Sequence, residues 1–271
     1  MNRNSNSVNV DTLQAVSETL LITLYMRSLE TKRAKSIIRD YKSVEIVDRI
    51  DYNFSAYDSE VSQAIIAIRT EVIDKLVKEF VARYADARIV NLGAGLCTRF
   101  HRLDNGSIDW INIDLPRVKP VWESLIGTSE RSQYLSHSIL DFAWIDKIKA
   151  TQPSKVLFIA EGVLMFLTES EVKQLIDRIQ INFPGSEMIF DCLGIFLAQK
   201  SNLNSGNLGI DASYKWGIKN LKEIETWNDK VELINRYYYL DRHKTRLGWL
   251  GLFSYLPMLR RQIKIGHLKF G

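Results

Sequence analysis

The stretch from Arg88 to Asp114 constrains the fold more than any other part of this chain. It reads RIVNLGAGLCTRFHRLDNGSIDWINID: an apolar run up to Leu92, a Gly-Ala-Gly turn, and a second apolar run that ends on Asp114. This order predicts strand, tight turn, helix, strand and acid. In open α/β folds such a turn approaches a nucleotide closely, and a carboxylate at the tip of the second strand binds ribose hydroxyls. The stretch therefore predicts a nucleoside-containing cofactor.

The glycine spacing narrows the choice of cofactor. A dinucleotide fingerprint has a third glycine three residues beyond the second, where this chain has Thr98. A nicotinamide-dependent oxidoreductase is thus disfavoured. A site for S-adenosylmethionine needs only a glycine turn that lets the methionine moiety pass, here Gly93 and Gly95, and an acid for the ribose, here Asp114. The alternative without a ligand is an ordinary strand-to-helix turn, with Asp114 capping a helix before Pro116.

Length and composition exclude several classes of function. The 271 residues, 46% of them apolar, suffice for one α/β domain with a subdomain or lid. A net charge of +4 is too small and too dispersed to indicate a nucleic-acid partner. Cys97 and Cys192 are far apart and predict reduced thiols in a cytoplasmic protein. The sequence shows no metal-ligand cluster, no signal peptide and no apolar run long enough to span a bilayer.

The N-terminal third of the chain predicts helices. Apolar residues recur at helical spacing over Thr12–Arg33, Ala34–Ile50 and Glu60–Ala85. Because these stretches precede the first predicted strand, we expect residues 12–85 to form a cap that closes over the glycine turn. Arg69 lies within the apolar third helix, where a charged side chain either reaches the surface or points at an anion. The spacing alone favours the surface.

The rest of the chain predicts a doubly wound, Rossmann-like α/β core. Residues 86–199 and 230–271 are expected to form this core, with Lys155–Ala160 as its central buried strand. The sheet should be mostly parallel, with an antiparallel last strand over Ile263–Phe270. The turn-rich segment 200–229 is expected to be a lid insert. With the cap, these parts make a single domain over residues 1 to 271.

Residues at other predicted strand ends complete the candidate site. Glu161 follows the central strand, where a buried carboxylate is costly unless a cation or a substrate pairs with it. Leu140 and Asp141 would reach the same edge as Gly93 if their strand neighbours the second one, and would then flank an adenine. Asp141 also fits an N-cap of the following helix, and the two roles are compatible.

The segment from Leu247 to Ile265 is both apolar and basic. Trp249 and Phe253 stand near Arg260 and Arg261. The pattern fits a stretch that lies on a membrane surface, but it fits better a helix packed on the sheet with a basic outer edge.

Seven stretches of the chain together resemble the leucine carboxyl methyltransferase family, in its bacterial branch of O-methyltransferases similar to the tetracenomycin polyketide enzyme. They are TLLITLYMRSLE, SQAIIAIRTEVID, VNLGAGLCTRFHR, INIDLPRV, SILDFAWID, IAEGVLMFLTESEV and the KWG of the predicted lid. They occur in the family's order over most of the chain. The resemblance implies a class I, S-adenosylmethionine-dependent methyltransferase.

The resemblance also implies a role for each candidate residue. Arg69 would clamp the carboxylate of S-adenosylmethionine, with Arg27 assisting, which reverses the interpretation of Arg69 from spacing alone. The glycine turn would approach the methionyl part, the acid after the second strand would hold the ribose, and Leu140 with Asp141 would flank the adenine. Glu161, near the amino group and the methyl-transfer pocket, is the predicted catalytic residue. The implied cofactor site comprises Arg27, Arg69, Gly93, Gly95, Asp114, Leu140, Asp141 and Glu161.

One departure from the family pattern leaves a second function open. The family usually has Asp where this chain has Cys97. An acid there could anchor the turn through local backbone hydrogen bonds, and a thiol is a poor substitute because it is a weak donor and acceptor. A protein of the same fold that holds S-adenosylmethionine or S-adenosylhomocysteine without catalysis is the alternative.

The reaction implied by the resemblance is methyl transfer to oxygen. The transfer is an in-line displacement on a sulfonium, so the enzyme mainly positions the reactants and excludes water. A carboxylate acceptor is already ionised at neutral pH, whereas an alcohol needs a base. Since none of the four histidines lies in a motif that matches a family base, we expect a carboxylate or an ionisable hydroxyl. The aromatic residues of the predicted lid and C-terminal stretch favour a small, apolar, polyketide-like acceptor.

Overall fold

The computed structural model describes residues 18–150, 155–204 and 214–271. The strands are β1 (Arg88–Leu92), β2 (Asp109–Asp114), β3 (Ser132–Ser136), β4 (Val156–Ala160), β5 (Glu187–Leu193), β6 (Val231–Tyr238) and β7 (Ile263–Phe270). The α-helices are α1 (Glu18–Lys32), α2 (Tyr41–Val47), α3 (Glu60–Arg83), α4 (Arg99–Leu103), α5 (Lys119–Leu125), α6 (Ala143–Lys149), α7 (Glu169–Asn182), α8 (Ile195–Asn204) and α9 (Pro257–Arg260). Short 3₁₀ helices cover Phe54–Tyr57, Leu164–Phe166, Leu221–Thr226, Tyr239–Asp241 and Lys244–Tyr255.

The seven strands form one sheet in the order β3-β2-β1-β4-β5-β7-β6. Strands β1 to β5 pair in parallel, and β7 runs antiparallel to both β5 and β6. The predicted doubly wound, mostly parallel sheet with an antiparallel last strand is therefore confirmed. The strand order reverses between β1 and β4, and in such sheets the ligand crevice lies outside the carboxyl ends of the strands at this point.

The central strands are apolar throughout because both faces of the sheet are covered. Val90 of β1 and Phe158 of β4 point into one core, which α6 and α7 complete. Their neighbours Ile89 and Leu157 point into the opposite core, with α3 on top. Two buried faces give the continuous apolar runs from which the strands were predicted.

The third predicted helix is confirmed, and it covers one face of the sheet. Ser59 starts α3 by accepting a hydrogen bond from the backbone N–H of Ser62. Apolar residues of α3 from Ala64 to Val81 pack on β1, β4 and β5. Helices α1 and α2 form a separate apolar cluster with α5. The division of the chain into cap, core and lid stays a prediction.

The second predicted helix, Ala34–Ile50, is wrong in extent, because the helix spans Tyr41–Val47 alone. Asp40 starts this helix by accepting a hydrogen bond from the backbone N–H of Ser43. In the segment before it, the Arg39 guanidinium donates to backbone carbonyls, among them that of Ala34. Side chains thus bind backbone groups that a longer helix would have paired.

The predicted lid insert is described from Tyr214 onward, and residues 205–213 lie outside the described part of the chain. Trp216 and Ile218 are buried in the core shared with α7. The buried Lys264 of β7 donates to the backbone carbonyls of Ile218 and Lys219. This half of the insert is therefore fixed to the body of the protein.

Candidate cofactor and active site

The glycine turn after β1 lies close to neighbouring side chains because two of its residues have no Cβ. Gly93 and Gly95 have φ angles of 65° and 49°, in the left-handed region that favours glycine. A Cβ on Gly93 would lie 2.4 Å from Val163 Cγ2, and one on Gly95 would lie 2.5 Å from Leu20 Cδ2. The turn is thus in close contact with α1 and with the loop after β4.

Asp114, at the end of β2, is bound to the glycine turn. Its Oδ2 accepts from the backbone N–H of Gly95 over 2.6 Å, and its Oδ1 accepts from Leu115 over 2.7 Å. Burial raises the pKa of this carboxyl, although the two N–H donors oppose the shift. Each carboxylate oxygen can accept a further hydrogen bond, as a ribose diol requires.

Two adjoining cavities lie at the carboxyl ends of the strands. One, of about 360 Å³, is here called the arginine cavity because Arg27, Arg69, Arg99 and Arg102 line it. The other, of about 330 Å³, is called the aspartate cavity after Asp114. Both are bordered by Thr19, Leu20, Gly93, Gly162 and Phe166. The turn that carries Gly93 therefore lies between two halves of one crevice.

Glu161 stands between two arginines in the arginine cavity. Its Oε2 accepts from Nη2 of Arg99 over 2.5 Å, and its Oε1 lies 2.8 Å from Nε of Arg69. Burial alone would raise the pKa of Glu161, but the charges of Arg99 and Arg69 outweigh burial and hold the pKa well below its usual range. This carboxylate is therefore an anion rather than a proton acceptor at neutral pH.

Arg69 reaches the cavity from α3, contrary to the surface position that its spacing favours. Its Nη1 donates to Asp191 Oδ2 over 3.3 Å. Its Nε forms the ion pair with Glu161 over 2.8 Å, so that the guanidinium lies between two carboxylates. Asp191 also accepts from the backbone N–H of Gly162 and from the Tyr239 hydroxyl. Arg69 is thus paired with two carboxylates, and because it also borders the arginine cavity its positive charge can attract an anion there.

A second line of ion pairs ties helix α1 and the start of α2 to the glycine turn and α4. Asp40 is fully buried and accepts from Arg27 Nε over 2.9 Å, from Arg102 Nη1 over 2.8 Å and from the Thr98 hydroxyl over 2.5 Å. The charges of Arg102 and Arg27 outweigh burial and hold the pKa of Asp40 at about 2. Arg27 also donates to the backbone carbonyl of Leu96. Arg27 is thus held against the turn as well as facing the cavity.

Several of these residues were not predicted from the sequence. Asp40, Asp74, Arg102 and Asp191 come from four separate elements and meet only after folding. Asp74, which binds both Arg99 and Arg102, is an acid inside the apolar run of α3. Such a buried charge is the one sequence signal that could have revealed the network.

The residues of the loop after β3 that line the aspartate cavity precede the two predicted residues in the sequence. Among the described residues, those of this loop that line the cavity are His137, Ser138 and Ile139, not Leu140 and Asp141. Asp141 is exposed, and its carboxylate lies 3.1 Å from Nδ1 of His137. Leu140 is half-buried and packs on the core beside α7.

The described residues contain no cluster of His, Cys, Asp or Glu that could hold a metal ion. No helix among residues 18–150, 155–204 and 214–271 is long and apolar enough to cross a membrane.

Comparison with known proteins decides the family. The sequence pattern of the leucine carboxyl methyltransferase family matches residues 14–180. This chain belongs to the leucine carboxyl methyltransferase family. It is 26% identical over 231 residues to the tetracenomycin polyketide synthesis O-methyltransferase TcmP of Streptomyces glaucescens. The aligned region covers 84% of this chain and 85% of that relative. It is also 28% identical over 266 residues to the S-adenosyl-L-methionine-dependent methyltransferase dpfgK of Gibberella zeae, and this aligned region covers 89% of each chain.

Solved structures support the same fold. A DUF574 family protein from Streptomyces avermitilis superposes with a TM-score of 0.61 at 11% identity, over 96% of this chain and all of that one. An S-adenosylmethionine-dependent methyltransferase from Anabaena variabilis superposes with a TM-score of 0.51 at 13% identity, over 82% of this chain and 96% of that one. At such identities the likeness concerns the fold alone.

As a leucine carboxyl methyltransferase family member, the protein is an S-adenosylmethionine-dependent methyltransferase, and the predicted cofactor is confirmed. The residues present fit this cofactor. The guanidinium of Arg69, which borders the arginine cavity, suits its carboxylate, and the Glu161 anion suits its ammonium. Asp114 has acceptor capacity for the ribose, and the two cavities meet at the glycine turn.

Proposed function

We propose that this protein is an O-methyltransferase whose acceptor is a carboxylate or an ionisable hydroxyl of a small, apolar molecule. One observation carries this proposal. Among the described residues that line the arginine cavity, Glu161 is the one carboxylate, and none is histidine or lysine. Arg69 and Arg99 hold Glu161 as an anion, and burial raises the pKa of the nearby Tyr214 hydroxyl. Among the described residues, the acid, histidine and lysine content of the arginine cavity thus offers no neutral-pH general base, and this suits an acceptor that is already ionised.

We assign the cofactor to the crevice formed by both cavities. Arg69 would bind its carboxylate and Glu161 its ammonium, while Asp114 would accept hydrogen bonds from the ribose. The backbone at Gly93 and Gly95 would lie against the methionyl part. Arg27 would support the carboxylate end through the turn that it holds. Leu140 and Asp141 would shape the adenine end through the loop that they share with Ile139, which itself borders the cavity.

The chain's own residues would act by position and charge. When bound, the cofactor supplies a methyl group on a positively charged sulfur, and a nucleophilic oxygen displaces the sulfur in line. Arg69 would neutralise the carboxylate of the cofactor, and Arg99 would hold Glu161 in place. An acceptor carboxylate has no proton to lose, so Glu161 can stay ionised throughout. Its role would be to keep the cofactor and the two arginines in fixed positions relative to each other.

The apolar wall of the arginine cavity indicates the rest of the acceptor. Ile22, Met26, Ile66 and Met165 line it together with the arginines. Phe166 stacks at a tilt on Tyr214, with 5.3 Å between ring centroids. Apolar pockets with a few directed polar groups are typical of small-molecule sites. A polyketide-like aromatic acid would fill both walls, in keeping with the polyketide named for the TcmP relative.

Calorimetric titration tests the cofactor assignment. S-adenosylmethionine and S-adenosylhomocysteine should bind the purified protein, whereas NADH should not. Arg69→Ala should abolish this binding, because it removes the proposed carboxylate clamp. Arg83→Ala, on the same helix outside the cavity, serves as the matched control and should bind normally. Normal binding by Arg69→Ala would overturn the assignment.

Transfer of a labelled methyl group to a panel of acceptors tests the chemistry. Apolar carboxylic acids and acidic phenols should be methylated, and neutral alcohols should not. Activity on neutral alcohols alone would refute the proposal, because such acceptors require a base.

A non-catalytic binding protein is the second candidate, and Cys97 is the observation that favours it. The thiol Sγ lies 3.5 Å from Nη1 of Arg99, where the family usually has an acid. Binding of both sulfur compounds without single-turnover transfer to any acid or phenol of the panel would support this candidate.

A further inference from the structure

Most of the large apolar side chains that are exposed in the described residues come from two stretches of the chain. In the described part of the chain nine large apolar side chains are exposed, and five of them lie between residues 249 and 258. Two more lie at the start of α8. We call this set the C-terminal apolar patch, and its members are Ile195, Phe196, Trp249, Leu252, Tyr255, Leu256 and Met258. Trp249 is 66% exposed and Tyr255 is 73% exposed.

The two parts of the patch are joined through Gln262. Its side-chain carbonyl accepts from the backbone N–H of Leu197 over 3.1 Å, and its backbone carbonyl accepts from Gly194 over 2.8 Å. Its amide nitrogen donates to the backbone carbonyl of Met258 over 2.7 Å. The start of α8 is therefore held beside the turn that follows the 3₁₀ segment Lys244–Tyr255.

The packing of the 3₁₀ segment does not require this outer apolar face. Leu247 is fully buried against α3, and Leu250 and Phe253 pack on the same core. Trp249 and Leu252, from the same segment, point outward instead. The sequence favoured a packed helix with a basic outer edge, but the outer edge is apolar as well as basic. Large contiguous apolar patches on monomeric proteins commonly mark interaction sites.

The charge around the patch is positive. Residues 242–271 contain seven Lys and Arg and neither Asp nor Glu. Acids from elsewhere pair with Arg242, Arg246 and Arg260. Within the described residues, the exposed Lys200, Lys244 and Arg261 form no ion pair. The ammonium of Lys244 lies 4.5 Å from the Tyr255 ring centroid, and that of Lys200 lies 5.8 Å from that of Phe196.

We propose that the C-terminal apolar patch binds the surface of an anionic lipid membrane. Interfacial segments combine Trp, Leu and other apolar side chains with Lys and Arg, bury the apolar groups just below the headgroups, and gain further from anionic lipid. Lys200, Lys244 and Arg261 are placed to meet those headgroups while the apolar residues insert. No spanning helix is needed for this mode of binding.

A second copy of the chain is a poorer occupant for this patch. A twofold contact sets the same surface of two copies against itself. The unpaired cations would then face one another, and like charges at an interface are unfavourable. An anionic lipid surface complements both the apolar and the basic character of the patch.

The patch is also close to the arginine cavity. Ala198 of α8 packs against Met165, which lines that cavity, and Tyr214 belongs to the same apolar cluster. A membrane-bound enzyme would therefore hold its crevice near the lipid, where an apolar acceptor accumulates. This consequence rests on the proposed function, whereas lipid binding itself does not.

Co-sedimentation with vesicles tests the proposal. The full chain should sediment with vesicles of phosphatidylcholine and phosphatidylglycerol and stay in solution with phosphatidylcholine alone. The double variants Trp249→Ser with Leu252→Ser, and Lys244→Glu with Arg261→Glu, should each bind about tenfold more weakly. Since all four side chains are exposed, the variants should keep the wild-type circular dichroism spectrum and S-adenosylmethionine titration.

Two exposed apolar residues outside the patch provide matched controls. Tyr41→Ser and Ile181→Ser remove comparable exposed surface on α2 and α7 and should not change vesicle binding. Absence of binding to the anionic vesicles would overturn the proposal. So would a concentration-dependent dimer in gel filtration that the patch variants abolish, because the patch would then be a contact between copies. Either result leaves the cofactor titration and the acceptor panel unaffected, so the proposed O-methyltransferase function stands or falls separately.

Discussion

Nη2 of Arg99 lies 2.5 Å from Oε2 of Glu161, and this ion pair joins the two loops that form the candidate site. Arg99 begins α4 directly after the glycine turn, and Glu161 follows the central strand β4. Arg99 also donates from Nε to Asp74 on α3 over 2.6 Å. One guanidinium thus couples the turn, the tip of the strand and the helix that covers the sheet.

Removing the charge of Glu161 should damage both stability and cofactor binding. Glu161→Gln leaves Arg69 and Arg99 buried with one anion fewer, and breaking a buried ion pair from one side costs about 3 kcal/mol. The variant should unfold at lower urea concentration, and calorimetry should show loss of S-adenosylmethionine binding.

Glu169→Gln is the control for this substitution. Glu169 forms an exposed i,i+4 pair with Lys173, for which a loss of about 0.5 kcal/mol is expected. Equal urea midpoints for Glu161→Gln and Glu169→Gln would show that the buried ion pair contributes nothing.

Asp40 should make the protein sensitive to acid. Its pKa is about 2 in the folded protein against an ordinary value of 3.8, so the folded state favours the ionised form. A lowered carboxyl pKa stabilises the fold above the unfolded pKa, and this stabilisation, about 2 kcal/mol, is lost as the pH falls from about 5 towards 2. The free energy of unfolding of the wild type should therefore fall more steeply over this range than that of Asp40→Asn.

The matched control for Asp40 is Asp48→Asn, since Asp48 is exposed and pairs with Lys32 on the surface. Burial raises the pKa values of Asp114 and Asp191. Protonation of these two carboxyls therefore increases the free energy of unfolding as the pH falls, opposite to the effect of Asp40. They are present in all variants and cancel in the comparison. Parallel pH curves for the wild type and Asp40→Asn would contradict the prediction.

Substituting Gly95 and Gly106 distinguishes two effects of an added Cβ: the steric contact that it makes at the glycine turn, and the backbone strain of an L residue at positive φ. Both have positive φ, so Gly95→Ala and Gly106→Ala should each destabilise by about 1 kcal/mol. A Cβ at Gly106 meets nothing within 4 Å, whereas one at Gly95 would push Leu20 Cδ2 aside. Leu20 borders both cavities, so Gly95→Ala should bind S-adenosylmethionine at least about tenfold more weakly. Calorimetry with equal affinities for the two variants would place the cofactor away from this turn.

The parts of the site that could be predicted are those encoded in contiguous sequence. The turn at Gly93 and the acid at Asp114 follow from one strand-turn-helix-strand pattern, and Glu161 follows from its place after the most apolar run. Arg69 was identified by its family motif, because its helical spacing alone favoured the surface. Short-range pattern thus sufficed wherever one element and its end define the position.

The parts that could not be predicted depend on how distant elements pack. Asp40 and Arg102 lie 62 residues apart in sequence and meet only because the start of α2 packs against α4. Asp191 and Arg69 are separated by 122 residues. In the loop after β3 no periodicity fixes which side chain faces inward, so Ile139 rather than Leu140 borders the cavity.

Restoring the family's usual acid should strengthen the site. Sγ of Cys97 lies 3.5 Å from Nη1 of Arg99, and the thiol borders the arginine cavity. In Cys97→Asp a carboxylate would accept a charge-assisted hydrogen bond from Arg99 and add negative charge to the arginine cavity, where we propose that the ammonium of the cofactor binds. Calorimetry should show S-adenosylmethionine binding about tenfold more tightly, equivalent to about 1.4 kcal/mol. Cys97→Ser, which adds no charge, should leave the affinity unchanged. If Cys97→Asp gains nothing over Cys97→Ser, Glu161 and Asp74 already supply the negative charge that the turn requires.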